Sequence, residues 1–210
     1  MPNWNPEDAV AYYLANHDLK IVDEMPDDRH PATALRFIAE YCTHAVLDNL
    51  HRFRLLDARV ALRLIDLGYP RQVIDSLGRF SGLNEEVALR LVALGFAKEF
   101  ELNVGSFGRL GFRTAEALIT IGDVEVVPRL VNYLTGLDHD ALAQRLLQKG
   151  CGATLAARLS SFRHLGADTG RLMIELGHGK SVAESLNSFL YDDRLVSQLV
   201  DLGLLREFGR

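Results

Sequence analysis

Apolar residues recur at helical spacing along the chain, with polar residues between them. Ala61, Leu64, Ile65 and Gly68 lie in this order in "ALRLIDLG", and the same order returns 27 residues later in "ALRLVALG". This spacing places the apolar side chains on one face of a helix of about ten residues. A glycine just past the last apolar residue favours a left-handed helix end, because glycine adopts positive φ without a steric cost.

A second apolar pattern follows each glycine. Val73, Leu77 and Phe80 are spaced four and three residues apart, which predicts a second helix with all three side chains on one face. Pro70 stands where this helix begins, a position that proline favours. Pro128 lies deeper in its segment, so we expect the corresponding helix to start late or to be bent.

The pair of helices repeats along the chain. Phenylalanine or leucine recurs in steps of 27 or 28 residues at positions 53, 80, 107, 134, 162 and 189. Glycine recurs in steps of 26 to 28 at positions 68, 95, 122, 150, 177 and 203. Helices this short are marginal alone and must stack on their neighbours. The sequence therefore predicts an all-α fold: a right-handed α-solenoid of about seven helix-turn-helix repeats with capping ends.

Two regions are predicted within one continuous domain. Residues 53–210 form six tandem repeats, and residues 1–52 form an acidic N-terminal cap with one or two degenerate repeats, in which Tyr41 takes the place of glycine. Residues 1–50 hold nine acidic and three basic residues, whereas residues 51–210 hold 19 and 20. The chain stops within a second helix, at "LLREFGR", which indicates either a minimal C-terminal cap or an array cut from a longer one.

Helix pairs with a capping glycine resemble the short α-solenoid group that includes HEAT and armadillo arrays, although their usual unit of about 40–47 residues is longer. The resemblance implies a fold and supplies no catalytic residue. Leucine-rich repeats overlap this period in length, but the units here lack the L-x-x-L-x-L strand.

Composition indicates a cytoplasmic protein without a membrane partner. The N-terminus lacks the basic start and apolar core of a signal peptide, and no segment approaches the run of about 18 apolar residues that spans a membrane. Cys42 and Cys151 lack metal-type spacing, so we expect reduced thiols.

The segment "GHGKS" at 177–181 is the one nucleotide-binding candidate. Gly179, Lys180 and Ser181 match the end of a phosphate-binding P-loop, but the required earlier glycine is Ile174. In the repeat frame the segment aligns with the turns between the two helices of other units. We therefore interpret it as an interhelical turn.

No residue cluster predicts catalysis. Cys42, His44 and His51 fall on differing helix faces, which argues against a metal site. The acids of "DHD" at 138–140 stand at a helix start, where they complement the helix dipole. No Ser-His, Cys-His or paired-carboxylate arrangement supports a named reaction. We therefore expect no enzyme activity, no metal and no cofactor.

Two sets of charged residues are predicted to be exposed. Charges of alternating sign on the outer face of the first helices predict a salt-bridged surface, with Glu86 and Arg90 at the favourable spacing of four. Basic residues recur at the start of the second helices, where a cation is unfavourable by about 0.3–1 kcal/mol, so stability alone does not explain them. The predicted partner-binding residues are Arg71, Lys98, Arg129, Lys180 and Arg206.

The favoured function is a non-catalytic scaffold that binds a partner protein or peptide on an extended concave surface. The alternative is a nucleic-acid-binding array that uses the basic residues of the second helices. A pI of 5.8 and the acidic neighbours Glu99 and Glu207 argue against the alternative. An uninterrupted positive strip would favour nucleic acid, and a strip broken by acidic or apolar residues would favour the scaffold.

Overall fold

The computed structural model describes residues 4–205, in which the regular elements are helices and no β-strand is present. The all-α prediction is thereby confirmed. None of the described helices combines the length and apolar character needed to cross a membrane. The chain divides after Leu110 into two compact units. The first contains α1 (Pro6–Asn16), α2 (Lys20–Asp23), α3 (His30–Ala39), α4 (Thr43–Asp48), α5 (Ala58–Asp66), α6 (Pro70–Asp75), α7 (Glu85–Ala93) and α8 (Ala97–Leu102). The second contains α9 (Phe112–Ile121), α10 (Val127–Leu130), α11 (His139–Gln148), α12 (Gly152–Ala157), α13 (Ala167–Glu175), α14 (Gly179–Glu184) and α15 (Asp193–Asp201).

The first helix of each repeat follows the predicted pattern, with α5 as the example. The Asp57 carboxylate accepts hydrogen bonds from the backbone N–H groups of Arg59 and Val60, which satisfies two donors that a helix start leaves free. The inward face of α5 is fully or almost fully buried through Val60, Ala61, Leu64 and Ile65.

The first helices end in the same left-handed turn. After α5, Gly68 adopts a φ of +90°, and the N–H of Tyr69 reaches back to the carbonyl of Leu64, as in a Schellman motif. Tyr41 holds the equivalent position after α3, with a φ of +62°. The predicted glycine caps are confirmed by the positive φ of Gly68, Gly95, Gly122, Gly150, Gly177 and Gly203.

The second helices are shorter than predicted, because the backbone tightens and then extends. After α6 ends at Asp75, residues Leu77–Arg79 form a 3₁₀ turn and Phe80 is extended. Leu77 and Phe80 are nevertheless buried as expected. The extended backbone frees the groups around Phe80 to bond with the preceding repeat, and a continued α-helix would use those groups internally. The other 3₁₀ turns are Asp27–Arg29, Leu50–Arg52, Val104–Ser106, Val131–Tyr133, Leu159–Ser161 and Leu186–Ser188.

The effect expected of Pro128 is confirmed. The second helix of that repeat, α10, spans only Val127–Leu130 and begins three residues later in its repeat than α6 and α8 do. Pro128 thereby falls in the first turn, where its missing N–H has no intrahelical partner to lose.

Short backbone bridges join successive repeats within each unit. Leu56 donates its N–H to the carbonyl of Arg79 (3.0 Å) and accepts the N–H of Ser81 (2.9 Å). Leu83 pairs in the same way with Ser106 and Gly108, and Leu165 with Ser188 and Leu190. Leu56, Leu83 and Leu165, each the leucine of an "F-x-x-L" segment, are therefore both buried side chains and backbone links.

Helices of successive repeats also pack side by side within each unit. In the first unit α3 contacts α5, and α5 contacts α7. In the second unit α11 contacts α13, α13 contacts α15, and α12 contacts α14. First helices thus lie next to first helices, and second helices next to second helices.

Candidate functional site

The predicted basic residues lie at the start of the second helices. Arg71, Lys98 and Lys180 each occupy the second position of their helix, in α6, α8 and α14, and all three are exposed. Arg129 is exposed within α10. Arg206 lies outside the described residues.

Acidic side chains lie beside Arg71 and Lys180. The Arg71 guanidinium lies 3.1 Å from Asp75 and 3.3 Å from Glu99 of the next repeat, and Lys180 lies 3.7 Å from Glu184. Lys98 has no ion pair with any residue between positions 4 and 205. The positive charge along the second helices is thus interrupted by carboxylates in both units.

The outer face of the first helices carries ion pairs, as the alternating charges predicted, and some of these pairs join neighbouring repeats. Arg90 of α7 lies 2.7 Å from Asp66 of α5 and 3.9 Å from Glu86 of its own helix. Arg145 of α11 lies 2.6 Å from Glu116 of α9. Exposed pairs of this kind contribute about 0.2–1 kcal/mol each, so they add little to the stability of the fold.

An exposed apolar residue directly precedes the capping glycine in five repeats. We call these the pre-glycine residues. Their exposed fractions are 39% for Leu67, 52% for Leu94, 44% for Ile121, 51% for Leu176 and 54% for Leu202. Lys149 holds the place in the fourth repeat. Sequence reasoning missed this set, although its signal was an apolar residue at one fixed register outside the buried stripe.

Two ion pairs flank the pre-glycine residues of the first unit. The Arg90–Asp66 pair joins the C-terminal parts of α5 and α7, and the Arg71–Glu99 pair joins the first turns of α6 and α8. Leu67 lies in the chain between Asp66 and Arg71. The turns that carry Leu67 and Leu94 therefore belong to neighbouring repeats held together on both sides.

The segment "GHGKS" connects α13 to α14, and so joins two helices as predicted. Gly177 adopts a φ of +86° as the helix cap. Gly179 is buried, and a Cβ atom there would stand 2.8 Å from the Cδ1 atom of Leu204. Gly179 therefore allows close packing against the next repeat.

The "DHD" segment caps helices, as its position suggested. Asp138 accepts the N–H groups of Asp140 and Ala141 at the start of α11. Asp140 instead accepts the N–H of Gly166, at the start of α13, with a distance of 2.7 Å. One acid thus caps its own helix and the other caps the helix of the next repeat.

The histidines and cysteines are not assembled into a metal site. Among residues 4–205 no group of three or more His, Cys, Asp or Glu side chains is placed to hold a metal ion. His44 stacks edge-on against Tyr69, with ring centroids 6.1 Å apart. Cys42 and Cys151 are free thiols, and burial together with nearby Glu125 raises the pKa of Cys151.

A cleft of about 730 Å³ lies in the first unit, between residues 23–30 and the segment around Arg52 and Arg54, where the repeat of α3 ends and the next begins. Ion pairs cross it, since Arg52 lies 3.5 Å from Asp23 and Arg54 lies 3.9 Å from Asp27. Its lining residues are Asp23, Glu24, Met25, Pro26, Asp27, His30, Arg52 and Arg54.

Comparison of the chain with models of protein families, with curated proteins and with solved structures found no match. A functional assignment therefore rests on the residues and contacts of the chain itself.

Proposed function

We propose that this protein is a non-catalytic helical-repeat scaffold that binds a partner protein or peptide. In this proposal about seven repeats form a right-handed, HEAT-like solenoid, and the partner lies on its extended concave surface. The side-by-side packing of α3, α5 and α7, and of α11, α13 and α15, supports such stacking. The proposal needs no catalytic residue and no cofactor.

The observation that carries the proposal is the set of exposed pre-glycine residues. An exposed leucine forfeits the stabilisation that burial would give, and a single one needs no explanation. Five at the same register among six tandem repeats form a pattern that packing within a repeat does not account for. Apolar residues aligned in this way suit a partner with apolar side chains at matching intervals.

The predicted basic residues complement the pre-glycine residues. Lys98 follows Leu94 by four residues, Arg71 follows Leu67 by four, and Lys180 follows Leu176 by four. Each of these turns thus presents an exposed apolar side chain and then an exposed cation. We propose that the partner segment carries both apolar and acidic side chains. Arg129 and Arg206 complete the set of binding residues proposed from the sequence.

The carboxylates beside Arg71 and Lys180 favour a protein partner over a nucleic acid. A phosphate backbone is drawn to uncompensated cations, and Asp75, Glu99 and Glu184 would repel it. In a protein partner, donors and apolar groups can be placed to suit such a mixed surface.

Site-specific photo-cross-linking tests the proposal. A photoreactive residue at Leu94 is expected to capture the same partner segment as one at Leu67, whereas one at the equally exposed Leu14 of α1 is not. With the photoreactive residue moved to the exposed Lys98, the double substitution Leu67→Asp with Leu94→Asp is expected to abolish capture, and Leu14→Asp is the matched control. Capture that survives the double substitution would contradict the proposal. A gel shift by an oligonucleotide at about 50 mM salt that disappears at higher salt would favour the nucleic-acid alternative.

A further inference from the structure

Two histidines occupy equivalent places where backbone bridges join the other repeats. The Nδ1 atom of His30 accepts the backbone N–H of Arg54 at 2.8 Å, and Nδ1 of His139 accepts that of Arg163 at 3.2 Å. Each histidine precedes its arginine by 24 residues. The first pair lies in the first unit and the second pair in the second unit.

The N–H groups bound by histidine correspond to those bound by leucine carbonyls elsewhere. Arg54 and Arg163 directly follow Phe53 and Phe162, just as Ser81 follows Phe80. The Ser81 N–H donates to the carbonyl of Leu56. Among residues 4–205, no such carbonyl bond to Arg54 or Arg163 is present. A titratable ring nitrogen therefore replaces a carbonyl that cannot titrate.

The two rings are held in nearly the same orientation. His30 stands edge-on to Phe53 with centroids 6.0 Å apart and an interplanar angle of 83°, and His139 stands edge-on to Phe162 at 5.7 Å and 84°. His30 is 2% exposed, and its Nε2 lies 3.4 Å from the Met25 carbonyl oxygen. This arrangement suits a neutral ring with its proton on Nε2 and a lone pair on Nδ1.

We propose that these two histidine junctions are acid-sensitive couplings between repeats, which loosen as the pH falls while the backbone-bridged junctions stay closed. Protonation of Nδ1 replaces the accepting lone pair with an N–H that faces the N–H of Arg54 or Arg163. Both groups are then donors, and the hydrogen bond is lost.

Charged groups lie around both rings. Near His139 lie Arg163 and His164, which disfavour a further positive charge, and Asp138, which favours one; burial and the two cationic neighbours lower its pKa. The cleft beside His30 is lined by charges of both signs, which are carboxylates and guanidinium groups. The charged residues of that cleft are Asp23, Glu24, Asp27, Arg52 and Arg54.

Amide hydrogen exchange followed by NMR tests the proposal on the whole chain. Protection is expressed relative to the intrinsic exchange rate at each pH, so that the ordinary pH dependence cancels. Between pH 7.5 and 5, the protection of Arg163 relative to Leu190 is expected to fall about tenfold, the equivalent of one hydrogen bond. The protection of Arg54 relative to Ser81 should fall likewise. Ratios that stay constant over this range would overturn the proposal.

Matched variants identify the responsible ring. His139→Asn keeps an acceptor oxygen near the position of Nδ1 and cannot titrate, so it is expected to remove the pH dependence at Arg163 and leave that at Arg54. His164→Asn, at an exposed neighbour with a φ of +56° that asparagine tolerates, removes one of the groups that lower the pKa of His139. It is expected to keep a pH dependence at both amides, with the midpoint at Arg163 shifted upwards. Persistence of the effect at Arg163 in His139→Asn would overturn the proposal. Should that variant fail to fold, the wild-type protein decides. The pH midpoint of the NMR signal of the His139 ring nitrogen must coincide with the pH midpoint of the loss of protection at the Arg163 amide. Two different midpoints would overturn the proposal.

Discussion

The buried hydroxyl of Thr169 donates a 2.6 Å hydrogen bond to Oδ1 of Asp140, which lies 29 residues earlier in the preceding repeat. The same oxygen accepts the N–H of Gly166 at 2.7 Å. Asp140→Ala would leave both donors without this acceptor, so we expect a loss of about 2–3 kcal/mol in the free energy of unfolding. Urea denaturation of the variant measures this loss.

Two neighbouring substitutions serve as controls for Asp140. Asp140→Asn keeps an accepting oxygen and is expected to lose less stability than the alanine variant. Asp138→Ala removes only the cap of its own helix and is expected to cost about 1 kcal/mol. Equal losses for Asp138→Ala and Asp140→Ala would show that the link between repeats adds nothing to helix capping.

Replacement of Tyr41 by glycine is expected to stabilise the protein. Tyr41 is 96% exposed and adopts a φ of +62°, a conformation that costs a non-glycine residue about 1–2 kcal/mol. Because its side chain has little packing to lose, Tyr41→Gly should raise the free energy of unfolding by about 1 kcal/mol. The midpoint of urea denaturation reports the change.

The reverse exchange provides the control for Tyr41. Gly95 has a φ of +88° and open space where a Cβ atom would stand, so Gly95→Ala should cost about 1 kcal/mol through the backbone alone. Gly78 has equal space without a positive φ, and Gly78→Ala should cost nothing. A loss of stability in Tyr41→Gly would indicate that the tyrosine side chain makes a stabilising contact.

The repeat frame was predictable because burial imposes a period on the sequence. Ala61, Leu64 and Ile65 fill one helix face, and Gly68 must adopt positive φ, so apolar residues and a glycine recur at these places in the six tandem repeats. The end of the second helix was not predictable in this way. Leu77 and Phe80 are buried whether the backbone is α-helical or 3₁₀, and spacing alone does not distinguish the two.

Contacts between repeats were beyond the reach of the local pattern. The backbone of Leu56 pairs with residues around Phe80, and backbone groups carry no sequence signature. His139 was noticed in the sequence, but its partner is the N–H of Arg163, which only the packing of two repeats reveals. The ion pair between Arg71 and Glu99 likewise joins residues 28 positions apart.

Thiol labelling should separate the two cysteines. Cys151 is 5% exposed, and burial raises the pKa of its thiol above the ordinary 9.0, whereas Cys42 is half-buried. Since the thiolate is the nucleophile, iodoacetamide at pH 8 should modify Cys42 at least about tenfold faster in the native protein. Mass spectrometry after timed quenching measures both rates. In urea the two rates should converge, and equal native rates would contradict the burial of Cys151.

The lowered pKa of His139 predicts stability that is lost in acid. Its pKa in the folded protein lies below the ordinary 6.5 because of burial and the cations Arg163 and His164. As the pH falls through 6.5, the unfolded chain binds a proton that the folded chain does not, so stability decreases until the folded pKa is reached. Unfolding free energies at pH 8, 7, 6 and 5 should therefore decline more steeply for wild type than for His139→Asn. His164→Asn removes one of the neighbours that lower this pKa, so its curve should decline less steeply than that of wild type but should still decline. Parallel curves for wild type and His139→Asn would contradict the prediction.

Alanine substitutions at Leu64 and Leu67 test whether the pre-glycine residues serve the fold. Leu64 is fully buried and Leu67 is 39% exposed, three residues apart at the end of the same repeat's first helix. Leu64→Ala should cost about 2–5 kcal/mol, because it leaves a cavity in the core. Leu67→Ala should stay within about 0.5 kcal/mol of wild type, as should Leu94→Ala. Urea denaturation measures all three. A large loss in the Leu67 and Leu94 variants would assign these side chains to stability and remove the observation on which partner binding rests.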